Sequence, residues 1–351
     1  MTRPSTLIDG VEAAREAEPI RLHLNEAPWG PPPSAVRRAG SAARDLHRYP
    51  IDDIGRATAA AAKYFGVDPE RVILTTGVDE ATDLCLLELG TLTTITPGFN
   101  GFKDRAAALE RPLRELPLTA EWELSEELFE SAGPGQVAML ASPNNPTGRQ
   151  FPEPALEQLL ASGCHLLLDE TYADFADGAP GLGLLERHPR LLLFRSFSKS
   201  FGLGALRIGC LLGEAETMAR LRARQPYYPL GRMAAESLIA ALEHDPDFPR
   251  RLAARIEPLR RRLIAELRAS ELFDRVFESE ANFVLATCAE AELARRVQAT
   301  LLEEAGILVA SAAPFGVPAG LRISVGNEEA IQSLRNGLGT VKDVLRRERD
   351  R

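Results

Sequence analysis

The chain has 351 residues, 45% hydrophobic and 26% charged, with a formal net charge of −9. That composition belongs to a soluble globular protein long enough for one large and one small domain. The acidic balance, with a pI near 5.3, excludes an electrostatic footprint for nucleic acid or an anionic membrane, and no run approaches the ~18 apolar residues of a membrane span.

The opening stretch, "MTRPSTLIDGVEAAREAEPI", has no apolar signal region. Residues 1–45, rich in Pro and Gly ("APWGPPPS"), read as an N-terminal arm, part of the small domain, that drapes over the body or a partner subunit. A large domain is expected over 46–245. Its predicted strands are 71–76, 91–96, 136–142, 164–170, 190–197 and 206–213, with helices at 79–89, 101–110 and 153–162. Short apolar runs alternating with helical patterns predict an α/β fold, a mostly parallel sheet covered by helices. Helices at 230–244 and 247–270 lead into a small C-terminal α+β domain, 246–351. There a strand at 282–288, a helix at 290–305, strands at 306–310 and 321–326 and a final helix from about 327 are expected. Cys85, Cys164, Cys210 and Cys288 lie far apart in or beside apolar runs. They read as buried reduced thiols of a cytoplasmic protein, and no metal site is expected.

Lysine is scarce: Lys63, Lys103, Lys199 and Lys342 are the whole set. Lys199 sits in "SFSKSFGLGALRIG", just past an apolar strand, where Gly202 and Gly204 allow a tight turn. In open α/β sheets ligands gather at the carboxyl ends of strands. A lysine there forms a Schiff base if desolvation or a neighbouring cation lowers its pKa; the alternative is a solvated surface lysine. Asp169 ends another strand in "LLLDETYADF", with Tyr172 three residues on, and "MLASPNNPTG" ends a third in a turn. A helix cap and a common turn account for these singly. Their joint occurrence, in this order, is the informative signal.

The combination resembles the fold-type I pyridoxal-phosphate (PLP) enzymes, aminotransferase class I/II, and among them the histidinol-phosphate aminotransferase branch and its relative threonine-phosphate decarboxylase. The likeness runs from "NEAPWGPPPS" through "HRYP", "TTGVDEA", "SPNNPTG", "LLLDETYADF" and "SFSKSFGLGALRIG" to "LRISVG". It implies that Lys199 carries PLP as an internal aldimine and moves a proton, while Asp169 pairs with the protonated pyridine nitrogen. It further implies that Asn145 and Tyr172 hydrogen-bond the phenolate oxygen and that Phe99 stacks on the ring, a core aromatic being the equal alternative. The cofactor phosphate falls to the amides of Val78 and Asp79 at a helix N-terminus and to Ser196, Ser198 and Arg207, the last at the start of the next strand. Tyr49 of the partner subunit completes that set, which implies a homodimer with a shared active site. Arg322 is the implied partner of the substrate's anionic end, with Asn25 and Asn145 in the substrate pocket.

Two departures bear on the substrate. Where the relatives usually carry a second arginine in a "VRD"-like element, this chain reads "GILVASAAPFG", with Ala310 at that place. Losing that donor removes ~1.5–3 kcal/mol from a dianion site, unless Arg224 or Arg232, flanking "QPYYPLG", substitutes. The segment "LELGTLTTITPG" is short, which alters the pocket rim, and Tyr227 and Tyr228 either contact substrate or pack structurally. The expected activity moves an amino group between an amino acid, or an amino-alcohol phosphate such as histidinol phosphate, and a 2-oxo acid. Decarboxylation on the same site is the alternative. A PLP-fold regulator would need a DNA-binding domain, for which the chain has no spare residues.

Overall fold

The computed structural model describes residues 18–349. Its strands are β1 (Ile20–Leu22), β2 (Val72–Thr75), β3 (Thr91–Thr96), β4 (Leu113–Pro117), β5 (Gln136–Ala141), β6 (His165–Asp169), β7 (Leu191–Ser196), β8 (Gly209–Leu212), β9 (Arg275–Val276), β10 (Phe283–Thr287), β11 (Ile307–Ser311) and β12 (Gly320–Ser324). They form a seven-stranded sheet, β2-β8-β7-β6-β5-β3-β4, and a five-stranded sheet, β1-β11-β12-β10-β9. In the larger sheet β8 alone runs against its neighbours β2 and β7; the other pairs are parallel. The α/β, PLP-type fold expected from the sequence is the one observed.

Strands β5 to β7 read as unbroken apolar runs because helices cover both of their faces. Side chains alternate between two cores. Leu140, Leu166, Leu168 and Leu193 pack on one side, and Met139, Leu167, Leu192 and Phe194 on the other. The same alternation decides which residues at the strand ends face the cavity described below. A separate core joins the five-stranded sheet, through Phe283 and Ile323, to the helices Phe248–Ala269, Ala291–Ala305 and Glu328–Arg349.

The N-terminal segment is more ordered than a draped arm. Its β1 pairs in parallel with β11, Ile20 opposite Ile307. Helix Pro33–Ala42, which begins with Pro in its first turn, buries Ala35 and Ala42 and packs against helix Arg232–His244 of the larger body. One short segment thus serves both sheets. Residues 1–17, where the arm begins, lie outside the described residues. The sequence reading passed over β1, β4, β9 and the helix Asp53–Phe65. No helix among the described residues is long and apolar enough to cross a membrane, and the four cysteines are buried and unpaired.

Candidate active site

The carboxyl ends of β5, β6 and β7 open into a cavity of ≈280 Å³ between the larger sheet, the N-terminal segment and β12. Twelve of the thirteen sequence-predicted site residues line it: Asn25, Val78, Asp79, Phe99, Asn145, Asp169, Tyr172, Ser196, Ser198, Lys199, Arg207 and Arg322. Tyr49 does not. It is 71% exposed and stacks on Tyr228, ring centroids 5.0 Å apart.

Asp169 and Arg322 are buried in the cavity and Lys199 is part-buried there, and none of the three has an ion-pair partner among the described residues. Asp169 is only 4% exposed. Its Oδ1 accepts hydrogen bonds from the Thr171 amide (2.9 Å) and hydroxyl (2.5 Å). Burial nevertheless pushes the carboxyl up to about 6, because the Thr171 bonds offset only part of the desolvation. Lys199 Nζ donates to the Leu24 carbonyl at 2.6 Å. Burial, and then the Arg322 guanidinium, bring the amine down to about 8, with Glu26 opposing and Arg207 adding to the shift. About a tenth of such a lysine is neutral at pH 7, so a nucleophilic amine is present. Arg322 is 6% exposed, and burial lowers its pKa. Its Nη1 donates to Asn145 Oδ1 (2.7 Å) and its Nη2 to the His23 carbonyl (2.8 Å), but its buried Nε has no partner. Among the described residues no carboxylate pairs with it. Buried charges are costly unless paired, so this set marks a site whose ligands bring the opposite charges.

One end of the cavity gathers groups suited to an anion. Helix Gly77–Glu88 points its N-terminus at the cavity, with Gly77 at φ +81. A Cβ on Gly77 would lie 2.6 Å from Arg207 Nη2, so glycine is required both for the backbone and for the guanidinium seated on it. The first free amides of the helix, its dipole and Arg207 together make an anion cradle. Arg207 itself lies two residues before β8, not at the start of that strand. It adopts φ +53 after the 3-10 turn Gly204–Leu206, and this sharp turn is what aims it back at Gly77. Ser198 N donates to Ser196 Oγ (3.2 Å), closing the loop on the same side.

Asn25 is a joint as well as a wall. At φ +53 it donates from Nδ2 to the Tyr172 hydroxyl (3.0 Å), donates from its amide to Ser324 Oγ (2.8 Å), and accepts from the same hydroxyl at Oδ1 (2.9 Å). Phe99 lines the cavity and also packs edge-on against Phe102, centroids 5.3 Å apart, so it is a core aromatic with access to the cavity. The expectation that Arg224 or Arg232 replaces the second arginine fails within this chain. Arg224 is paired with Glu88 (3.0 Å) and Arg232 with Asp53 (3.2 Å), and neither lines the cavity. Tyr227 and Tyr228 are also away from it, packed edge-on against each other.

The sequence reading did not name Thr171, Gly77, Leu24 or Phe315 as site residues, yet all four line the cavity. A glycine directly before a helix in "TTGVDEA" was the available signal for one of them. Thr171 lies inside the quoted "LLLDETYADF" and Leu24 directly before "NEAPWGPPPS", but neither residue type marks a site by itself, and Phe315 lies in a stretch noted only for its missing arginine.

Both ends fit PLP: a cradle for its phosphate, and a buried acid lacking a cation where a pyridine nitrogen would stand. The family of aminotransferases class I and II matches residues 17–338. Histidinol-phosphate aminotransferases of Dinoroseobacter shibae and Roseiflexus castenholzii are 32% and 34% identical to it, over 95% and 93% of this chain and 93% and 89% of theirs. The crystal structure of histidinol-phosphate aminotransferase from Sinorhizobium meliloti, in complex with pyridoxal-5′-phosphate, superposes with a TM-score of 0.83 at 25% identity, covering 93% of this chain and 92% of that one. A likeness that spans nearly the full length of both partners, on a fold that sets a lysine and an acid at adjacent strand ends, makes this chain a member of the PLP-dependent class I and II aminotransferases.

Proposed function

We propose that this aminotransferase holds its cofactor through Lys199 and passes an amino group from an amino acid, or an amino-alcohol phosphate such as histidinol phosphate, to a 2-oxo acid. The observation that carries this reading is the part-buried Lys199 amine, brought down to about 8, in one cavity with the buried Asp169 and Arg322. When bound, PLP supplies an electron-accepting ring that stabilises the charge left as the substrate Cα proton departs.

The side chains divide the remaining work. Lys199 Nζ would hold the cofactor and, when free, would carry the proton taken from the substrate Cα. Asp169 keeps a proton on the pyridine nitrogen. A pyridinium beside it would bring its raised carboxyl pKa down, so binding and charge would reinforce each other. Asn145 and Tyr172 donate hydrogen bonds to the phenolate oxygen, and Phe99 covers a ring face. The amides of Val78 and Asp79, with Ser196, Ser198 and Arg207, hold the phosphate. Arg322 binds the anionic end of the substrate with parallel hydrogen bonds, and Asn25 orients Tyr172 from the side.

A homodimer completes the site in this reading: exposed Tyr49 serves the phosphate in the partner's cavity, and the tyrosines around it pack at the shared surface. Four buried thiols and the absence of a membrane-crossing helix among the described residues suit a cytoplasmic enzyme.

Replacing Lys199 by Ala tests the assignment. The variant is expected to lose the visible absorbance of covalently held cofactor and more than roughly 10³-fold in turnover. A variant that kept both colour and rate would refute it. Given an amino donor alone, the wild type is expected to retain the amino group without releasing CO₂; CO₂ release would instead mark a decarboxylase.

A further inference from the structure

The cavity holds three cations, Lys199, Arg207 and Arg322. The aminotransferase reading assigns the first two to the cofactor, which leaves Arg322 alone for the substrate. Its surroundings are apolar on every side that the sheet controls. Arg322 sits opposite Ala310 of β11 and Leu285 of β10. Directly opposed residues in antiparallel strands share a face, so these two side chains flank the base of the Arg322 side chain from behind the cavity, and both are buried hydrocarbon that offers no second charge. The centroids of the Phe283 and Phe315 rings lie 5.5 and 5.0 Å from the guanidinium carbon.

Phe315 is held in place by the packing of its own turn. The 3-10 turn Ala313–Phe315 docks on the loop after β3, where Gly98 N donates to the Phe315 carbonyl at 3.1 Å. A Cβ on Gly316, at φ +92, would stand 2.4 Å from Thr96 Oγ1. This close approach brings Phe315 and Phe99 into one cavity, where Leu24 joins them from the N-terminal segment.

We infer that the site selects an amino acid with one carboxylate and an apolar side chain, Phe315 being the specificity-determining wall, over a phosphomonoester such as histidinol phosphate. The inference rests on the aminotransferase reading above. One guanidinium edge, with Nε still unpartnered, matches a single planar carboxylate. A phosphate dianion at the same place meets one guanidinium and the Phe315 ring that lines the cavity beside it, and its second charge is desolvated without a partner.

The test uses full-length protein loaded with PLP and titrated separately with leucine, phenylalanine and histidinol phosphate, the half-saturating concentration being read from cofactor absorbance. The apolar amino acids are expected to half-saturate at roughly 10- to 100-fold lower concentration, the value of one charge-assisted hydrogen bond. Calorimetric binding of 3-phenylpropanoate against inorganic phosphate, neither of which reacts, is expected to follow the same order. Phe315→Arg, on a half-exposed turn, is expected to shrink or invert the preference, and Ala310→Arg to do the same from the sheet. Histidinol phosphate saturating at equal or lower concentration than both amino acids, or a preference unmoved in Phe315→Arg, overturns the inference and leaves transamination standing. Silence toward leucine and phenylalanine with a response to a polar or acidic amino acid also overturns the inference, whereas silence toward every common amino acid and histidinol phosphate overturns the aminotransferase reading itself.

Discussion

Two buried charge systems lie back to back at the ends of β6 and β7, one residue of strand register apart. On the cavity side Asp169 and Lys199 have no ionic partner among the described residues. On the opposite side Glu170 meets Arg195 at 3.1 Å, and Asp174 reaches the same guanidinium at 2.6 Å. Gly181 N donates to Glu170 (2.8 Å), and the Phe65 ring lies 5.5 Å from Arg195. Burial raises the Glu170 carboxyl as it does that of Asp169, but Arg195 works against the rise. The same strands therefore carry a closed network on one face and an open one on the other. The closed network ties the segment bearing Asp169 and Tyr172 to the one bearing Lys199. The open one is left for a ligand to close.

The contrast can be broken most forcefully at Arg195. Arg195→Met leaves Glu170 and Asp174 without their counter-charge and is expected to cost about 3–5 kcal/mol of stability, measured by urea unfolding. A loss under about 1 kcal/mol would mean that the two faces do not differ. Asp169→Asn should move the other way in cofactor-free protein. The folded carboxyl titrates at about 6, against 3.8 for the free group. Its burden on the fold is thus absent below pH 4 and complete above pH 6. The variant should exceed the wild type in stability by up to about 3 kcal/mol at pH 7. The two should unfold alike near pH 4, and equal unfolding at pH 7 would contradict the picture of an unpaired acid. The smallest effect is expected at Arg322. Arg322→Leu should raise the half-saturating concentration of a carboxylate substrate roughly 10- to 100-fold; an unchanged value would remove this residue from the substrate's path.

Strand ends were legible because their chemistry is local. Lys199, Asp169 and Asn145 each follow an apolar run that can be recognised without knowing its neighbours. What stayed hidden depends on distant contacts. β4 carries Arg114 and Glu115 and buries only Leu116, since it is the edge of its sheet and has one neighbour, β3. Helix Pro33–Ala42 sits inside a Pro- and Gly-rich stretch whose composition argues for irregular structure. Thr171 and Phe315 matter through what they touch: a carboxyl two residues back, and an arginine on the next strand. Arg224 and Arg232 show the converse. Both looked available in the sequence, and each is occupied by an acid that only the fold brings near.

The pairing of β1 with β11 has a consequence for how the molecule is made. Arg322 donates to the carbonyl of His23, 299 positions away along the chain, and Asn25 reaches Ser324 across the same separation. A ribosome delivers the first of each pair early and the second nearly last, and contacts between such remote segments form slowly because a long loop must close first. Arg322 is therefore fastened only when synthesis is almost over. A nascent chain stopped short of β12 has Lys199 but not the buried guanidinium that shares its cavity, so the cavity is completed only together with the final strand.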